Sequence, residues 1–139
     1  MTRLAAALAA TLLTTTAAAY GQSYPGDPGA GEQRGIEQVN NSGQVGTATL
    51  FRRGANTRVV IELHGTTPGR VQSVRIYRGP SCDDLGAKPQ YFLTDMRNGT
   101  SVSTVNAPED KLLSGNYNVV VFSSNTAGAR STACGHLYT

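Results

Sequence analysis

The chain has 139 residues, with 16 glycines, no tryptophan and few aromatic side chains, and it carries a formal net charge of +3. That length suits one domain plus an appendage. The charge is mild and the arginines are scattered, which excludes the dense basic face that nucleic-acid binding needs.

The chain opens with MTRLAAALAATLLTTTAAAYGQ (1–22), in which Arg3 precedes a short Ala/Leu-rich run and then small residues. Ala17 and Ala19 form an A-x-A-like site, so residues 1–19 read as a secretory signal peptide. This predicts a periplasmic or secreted protein with no membrane span after cleavage. The alternative, a membrane anchor, needs a longer and less alanine-rich apolar run. Residues 20–35, YGQSYPGDPGAGEQRG, hold almost nothing to bury and read as a flexible lead-in. The folded domain is therefore expected over 36–139.

From Ile36 the pattern has a period of two. TATLFRR (47–53) and TRVVIELHG (57–65) flank a short turn and predict a hairpin, with Val59, Ile61 and Leu63 on its core face. QSVRIY (72–77) predicts the next strand, with Val74 and Ile76 inward and Arg75 and Tyr77 on the other face; a Gly-Pro turn and Cys82 follow. YFLTDM (91–96) and TSVSTV (100–105) flank Arg97-Asn98-Gly99, a strong signal for a type I′ hairpin. APEDKLLSG (107–115) predicts one short helical turn closed by Gly115. NYNVVVFSS (116–124) is a strand with Tyr117, Val119 and Val121 on one face, and STACGHLY (131–138) is the last. Six or seven short strands joined by tight turns predict an all-β antiparallel sandwich. Its core is expected to hold Leu50, Val59, Ile61, Leu63, Val74, Ile76, Val119, Val121 and Leu137.

Export decides how the two cysteines, Cys82 and Cys134, are read. In an oxidising compartment they are most simply one disulfide, closing a loop of roughly fifty residues and worth about 4 kcal/mol. The alternative is two free thiols.

The catalytic inventory is thin. His64 and His136 are the two histidines, and neither sits in a nucleophile-elbow context, so a Ser-His-Asp site is not expected. The adjacent pairs Asp83-Asp84 and Glu109-Asp110 read as solvated loops, because neighbours along an extended chain point to opposite faces. Zinc and copper sites generally take three or four ligands. His64 and His136 therefore read as surface histidines, with no metal and no cofactor expected. Arg52, Arg53 and Arg58 surround one hairpin and could adhere to anionic envelope polymers, against the plainer reading of a solvated rim.

RIYRG (75–79), Cys82, LLSGNYNVVVFSS (112–124) and TAGARSTACG (126–135) follow one another in this order. That order resembles the copper/zinc superoxide dismutase fold and its relative, the chordin-type (CHRD) domain of exported bacterial proteins, over about residues 36–139. The resemblance implies a Greek-key, immunoglobulin-like β-sandwich. It also implies a disulfide joining the loop after the RIY strand to the last strand, which Cys82 and Cys134 match. In the dismutases a His-x-His strand supplies two copper ligands; Arg75 and Tyr77 stand there. Another histidine follows the valines of a late strand; Phe122 stands there. The remaining ligands would fall within 83–105, which holds no histidine. Arginine is a permanent cation and would repel Cu²⁺. The arginine that guides superoxide lies three residues before the ACG cysteine, where this chain has Ser131, with Arg130 one residue off. The resemblance thus implies a degenerate metal site and no enzyme.

The expected function is an exported, non-catalytic envelope or secreted module that is structural or binds an unknown partner. Arg75, Tyr77 and Phe122 are the candidate cluster at the vacated site, and Arg78 is a candidate anion contact. The alternative is a metal-binding or dismutase-like protein using non-standard ligands.

Overall fold

A computed structural model of the chain describes residues 31–138. The signal peptide read over 1–19 lies outside the described residues, as do the first eleven positions of the lead-in.

Ten strands and one helix follow one another: β1 (Glu32–Gln38), β2 (Val45–Arg53), β3 (Asn56–His64), β4 (Val71–Gln72), β5 (Val74–Arg78), β6 (Pro89–Phe92), β7 (Met96–Arg97), β8 (Thr100–Val105), α1 (Glu109–Ser114), β9 (Tyr117–Phe122) and β10 (Ser131–His136). All pairings are antiparallel, in the order β4-β7-β8-β3-β2-β1-β10-β9-β5-β6. β1 is the seam of this all-β fold. Its residues 32–36 pair with β2, and Glu37 and Gln38 pair with β10.

The two ends of the strand order are tied together by the chain itself. β4, at one end, is separated from β5, near the other, by Ser73 alone. β6 and β7 likewise stand at opposite ends and are joined by the short link Leu93-Thr94-Asp95. A flat sheet could not satisfy both links, so the sheet curls into two facing halves, with strands that switch halves forming the corners. Between the halves lies one apolar cluster. It includes Leu50, Val59, Ile61 and Leu63 from one half and Val74, Ile76, Val119, Val121 and Leu137 from the other, all buried, together with Ile36, Met96, Val105, Leu112 and Tyr117.

The sequence expectations need three corrections. The domain begins by Glu32 rather than Ile36. EQRG belongs to β1 because strand pairing uses backbone groups, and β1 buries one side chain, Ile36. QSVRIY and YFLTDM are each two strands, split where the chain changes halves. The strand count is accordingly ten. Gly115 does close α1, but with φ −83°, outside the left-handed region. Space is what demands glycine there: a Cβ would lie 2.5 Å from the Tyr117 ring and 2.9 Å from the Lys111 carbonyl oxygen.

The 97–99 turn has the geometry its residues demand, with φ +50° at Asn98 and +78° at Gly99 between β7 and β8. Positive φ at both central positions defines the type I′ turn. Cys82 and Cys134 are joined by a disulfide, which fastens the β5–β6 loop to β10.

Candidate functional site

The half formed by β10, β9, β5 and β6 has an outer face whose occupants follow from strand alternation. Val74 and Ile76 of β5 enter the core, so Arg75 and Tyr77 point out. Tyr117, Val119 and Val121 of β9 enter the core, so Asn118, Val120 and Phe122 point out. Register then sets rows across the strands: Phe92, Arg75, Val120 and Cys134 form one, and Tyr77, Asn118 and His136 the next.

Arg75, Tyr77 and Phe122 come together on this face. The Arg75 guanidinium carbon lies 5.3 Å from the Phe122 ring centroid and 5.4 Å from that of Phe92. Tyr77 and Phe122 are tilted against each other, with centroids 6.3 Å apart. A cation between two ring faces is held by their quadrupoles, each contact worth about 0.5–1 kcal/mol at an exposed site. Phe92, missed by the sequence reading, belongs to this cluster. Its 71% exposure is the largest of any bulky apolar side chain among the described residues. Its alternation with core-contacting Tyr91 is the signal that would have found it. Val120, opposite Arg75 in register, is only 1% exposed although it sits on the outer face. Arg75 and Cys134 flank it, so this face carries a small apolar layer of its own.

Arg75 is half-buried, and its side chain makes ring contacts but no hydrogen bond or ion pair to another described residue. Arg78 does not join it. Three residues further along β5, Arg78 takes the opposite face and stacks over Tyr117, 5.7 Å from its centroid. An anion grip shared by Arg75 and Arg78 is therefore not formed by this geometry.

On the neighbouring row, Asn118 is fully buried and donates from Nδ2 to the Gly79 carbonyl at 2.8 Å. Its Oδ1 therefore faces His136 Nδ1. Since Oδ1 can only accept, Nδ1 carries the proton and the lone pair of neutral His136 sits on Nε2. Beside it, Arg34, Glu37, the Cys82–Cys134 disulfide, His136 and Tyr138 line a groove of about 410 Å³. Arg34 is committed, donating from Nε to the Leu137 carbonyl at 3.1 Å and pairing with Glu32 at 3.5 Å.

The other sequence candidates are dispersed. His64 ends β3, three strands along the sheet from β10. Among the described residues, no three His, Cys, Asp or Glu side chains gather in a metal-binding group. Arg52 pairs with Asp110 at 3.0 Å, both exposed, and Arg53 and Arg58 also have partners. Arg130 turns to Asn40 Oδ1 at 3.4 Å, and the Ser131 carbonyl accepts from Asn40 Nδ2 at 2.9 Å. Ser131 and Arg130 thus serve the junction with the β1–β2 turn. No helix among the described residues is long and apolar enough to cross a membrane.

No protein-family model matches this chain, and no curated protein matches it at significant similarity.

Proposed function

We propose that this chain is an exported, non-catalytic β-sandwich module of the cell envelope or secretome, acting by binding through the outer face of β5, β6 and β9. The observation that carries the reading is the Arg75 guanidinium held between the Phe92 and Phe122 rings. In a dismutase-type sandwich with Greek-key connections, this strand would present copper ligands. Here a permanent cation occupies the position, and a permanent cation cannot ligate a metal. The disulfide and the small β-rich domain are compatible with secretion, where oxidising conditions preserve such bridges. The leader read over 1–19 supports the same compartment. A periplasmic or secreted location and an envelope or extracellular partner complete the proposal.

The test is the metal content of tag-free protein purified from the compartment it reaches, with a superoxide-dismutation assay on the same sample. The expected result is sub-stoichiometric copper and zinc and no activity above buffer. Stoichiometric copper or zinc with dismutation would overturn the proposal and favour the metalloprotein reading.

A further inference from the structure

We infer that the Arg75 cluster is a binding site for an acidic sugar chain of the uronate class. Arg75 would take the sugar carboxylate, and the exposed Phe92 ring would take the apolar C–H face of a pyranose. The inference rests on the binding-module reading above and names the ligand chemistry for its face.

The first support is the state of Arg75. Its guanidinium carbon lies 5.4 and 5.3 Å from the Phe92 and Phe122 ring centroids, while its N–H groups have no hydrogen-bond or ion-pair partner among the described residues. A guanidinium edge offers parallel donors that match the two oxygens of a carboxylate. The two rings hold the side chain in place before any ligand arrives, which lowers the ordering cost of binding.

The second support is charge. β5, β6, β9 and β10 carry no carboxylate, and of their two arginines Arg75 is the one on this face, Arg78 being turned to Tyr117. The Glu37 carboxylate stands beyond Cys134 in the same row, three strands from Arg75 and so about 14 Å along the sheet. Asp95, in the link after β6, accepts from Asn125 Nδ2 at 3.5 Å, which leaves the Arg75 guanidinium as the charge on the strand face itself, complementary to an anion.

The third support is shape. Phe92 is 71% exposed on β6, which is an edge strand of the sheet. Tyr77 and Phe122 lie beside it half-buried, their rings tilted at 55°, so Phe92 is the one fully presented ring of the group. A single exposed ring at a sheet edge suits one face of a sugar ring in a chain laid across it. A carboxylate one bond from a flat, C–H-lined ring matches the juxtaposition of the Arg75 edge and the Phe92 face.

The test uses the whole mature chain titrated with tetragalacturonate, its fully methyl-esterified form and inorganic phosphate, followed by two-dimensional amide NMR and calorimetry. Tetragalacturonate is expected to bind and to shift the resonances of β5, β6 and β9. The methyl ester and phosphate are each expected to bind at least about tenfold more weakly. Arg75→Ala and Phe92→Ala should each weaken tetragalacturonate binding about tenfold or more, as loss of a charge-assisted contact or an aromatic anchor does. Arg75→Lys, which keeps charge without the fork, should weaken it less than Arg75→Ala, and Arg53→Ala should leave it unchanged. Thermal melting checks that each variant is folded. Equal binding of the ester, equal binding of phosphate, no binding of tetragalacturonate, or undiminished binding by Arg75→Ala would each overturn the inference. Metal content is measured separately, so metal-free protein that ignores tetragalacturonate sinks this inference and leaves the non-catalytic reading standing.

Discussion

Asn118 shows how much one side chain decides on this face. It is fully buried, and its amide spans the Gly79 carbonyl and His136 Nδ1. It thereby fixes the start of the loop that carries Cys82 and the tautomer of His136. Asn118→Ala would leave the part-buried Gly79 carbonyl without its donor and open a void in the row between Tyr77 and His136. The expected loss is about 2–3 kcal/mol in urea denaturation, with a shifted His136 ring resonance by NMR. Two glycines make a contrasting pair. Gly115→Ala forces a Cβ against the Tyr117 ring and the Lys111 carbonyl, at 2.5 and 2.9 Å, and should cost about 1–3 kcal/mol. Gly35→Ala meets nothing within 4 Å and has an ordinary φ, so its change should stay within about 0.5 kcal/mol by the same measurement. The composition shows sixteen glycines alike; only the neighbours of each tell them apart.

At the scale of elements, hairpins were legible and corners were not. The β2–β3 hairpin follows from alternation on either side of a short turn, and β7–β8 from Asn98-Gly99. Both signals are local, since the turn residues and the alternating side chains are near neighbours in the chain. The corner at Ser73 is different. Alternation runs through Gln72, Ser73 and Val74 without a Gly or Pro to mark the change of halves. Its cause is distant: the Ser73 carbonyl accepts from the Phe122 N–H at 2.9 Å, and the Ser73 N–H donates to Ser124. The type I′ turn offers a direct check. Gly99→Ala places a Cβ 2.5 Å from the Leu63 carbonyl oxygen at φ +78°. It should destabilise by about 1–3 kcal/mol in urea denaturation, more than Gly54→Ala, which is also left-handed but has open space around it.

For the whole molecule, the disulfide is the main long-range staple. It links residues 52 positions apart, from the β5–β6 loop to β10. In the chain-entropy account such a loop is worth about 4 kcal/mol, a large share of the stability of a domain this size. The Cys82→Ala/Cys134→Ala double variant should lose roughly that amount in urea denaturation. The wild-type chain should show no reactive thiol without reductant and two after reduction under denaturing conditions.

By itself the sequence determined the all-β class, the inward side chains of the long strands, the Asn-Gly turn, and the outward positions of Arg75, Tyr77 and Phe122. Each of these follows from alternation or from turn chemistry, which act between near neighbours. Only the tertiary structure decided that Phe92 joins Arg75, that Arg78 is turned away to Tyr117, and that Asn118 orients His136. It also decided that two apparent strands break to close the sheet on itself. These depend on which strands lie side by side and in what register, and register is set by contacts between residues far apart in the chain.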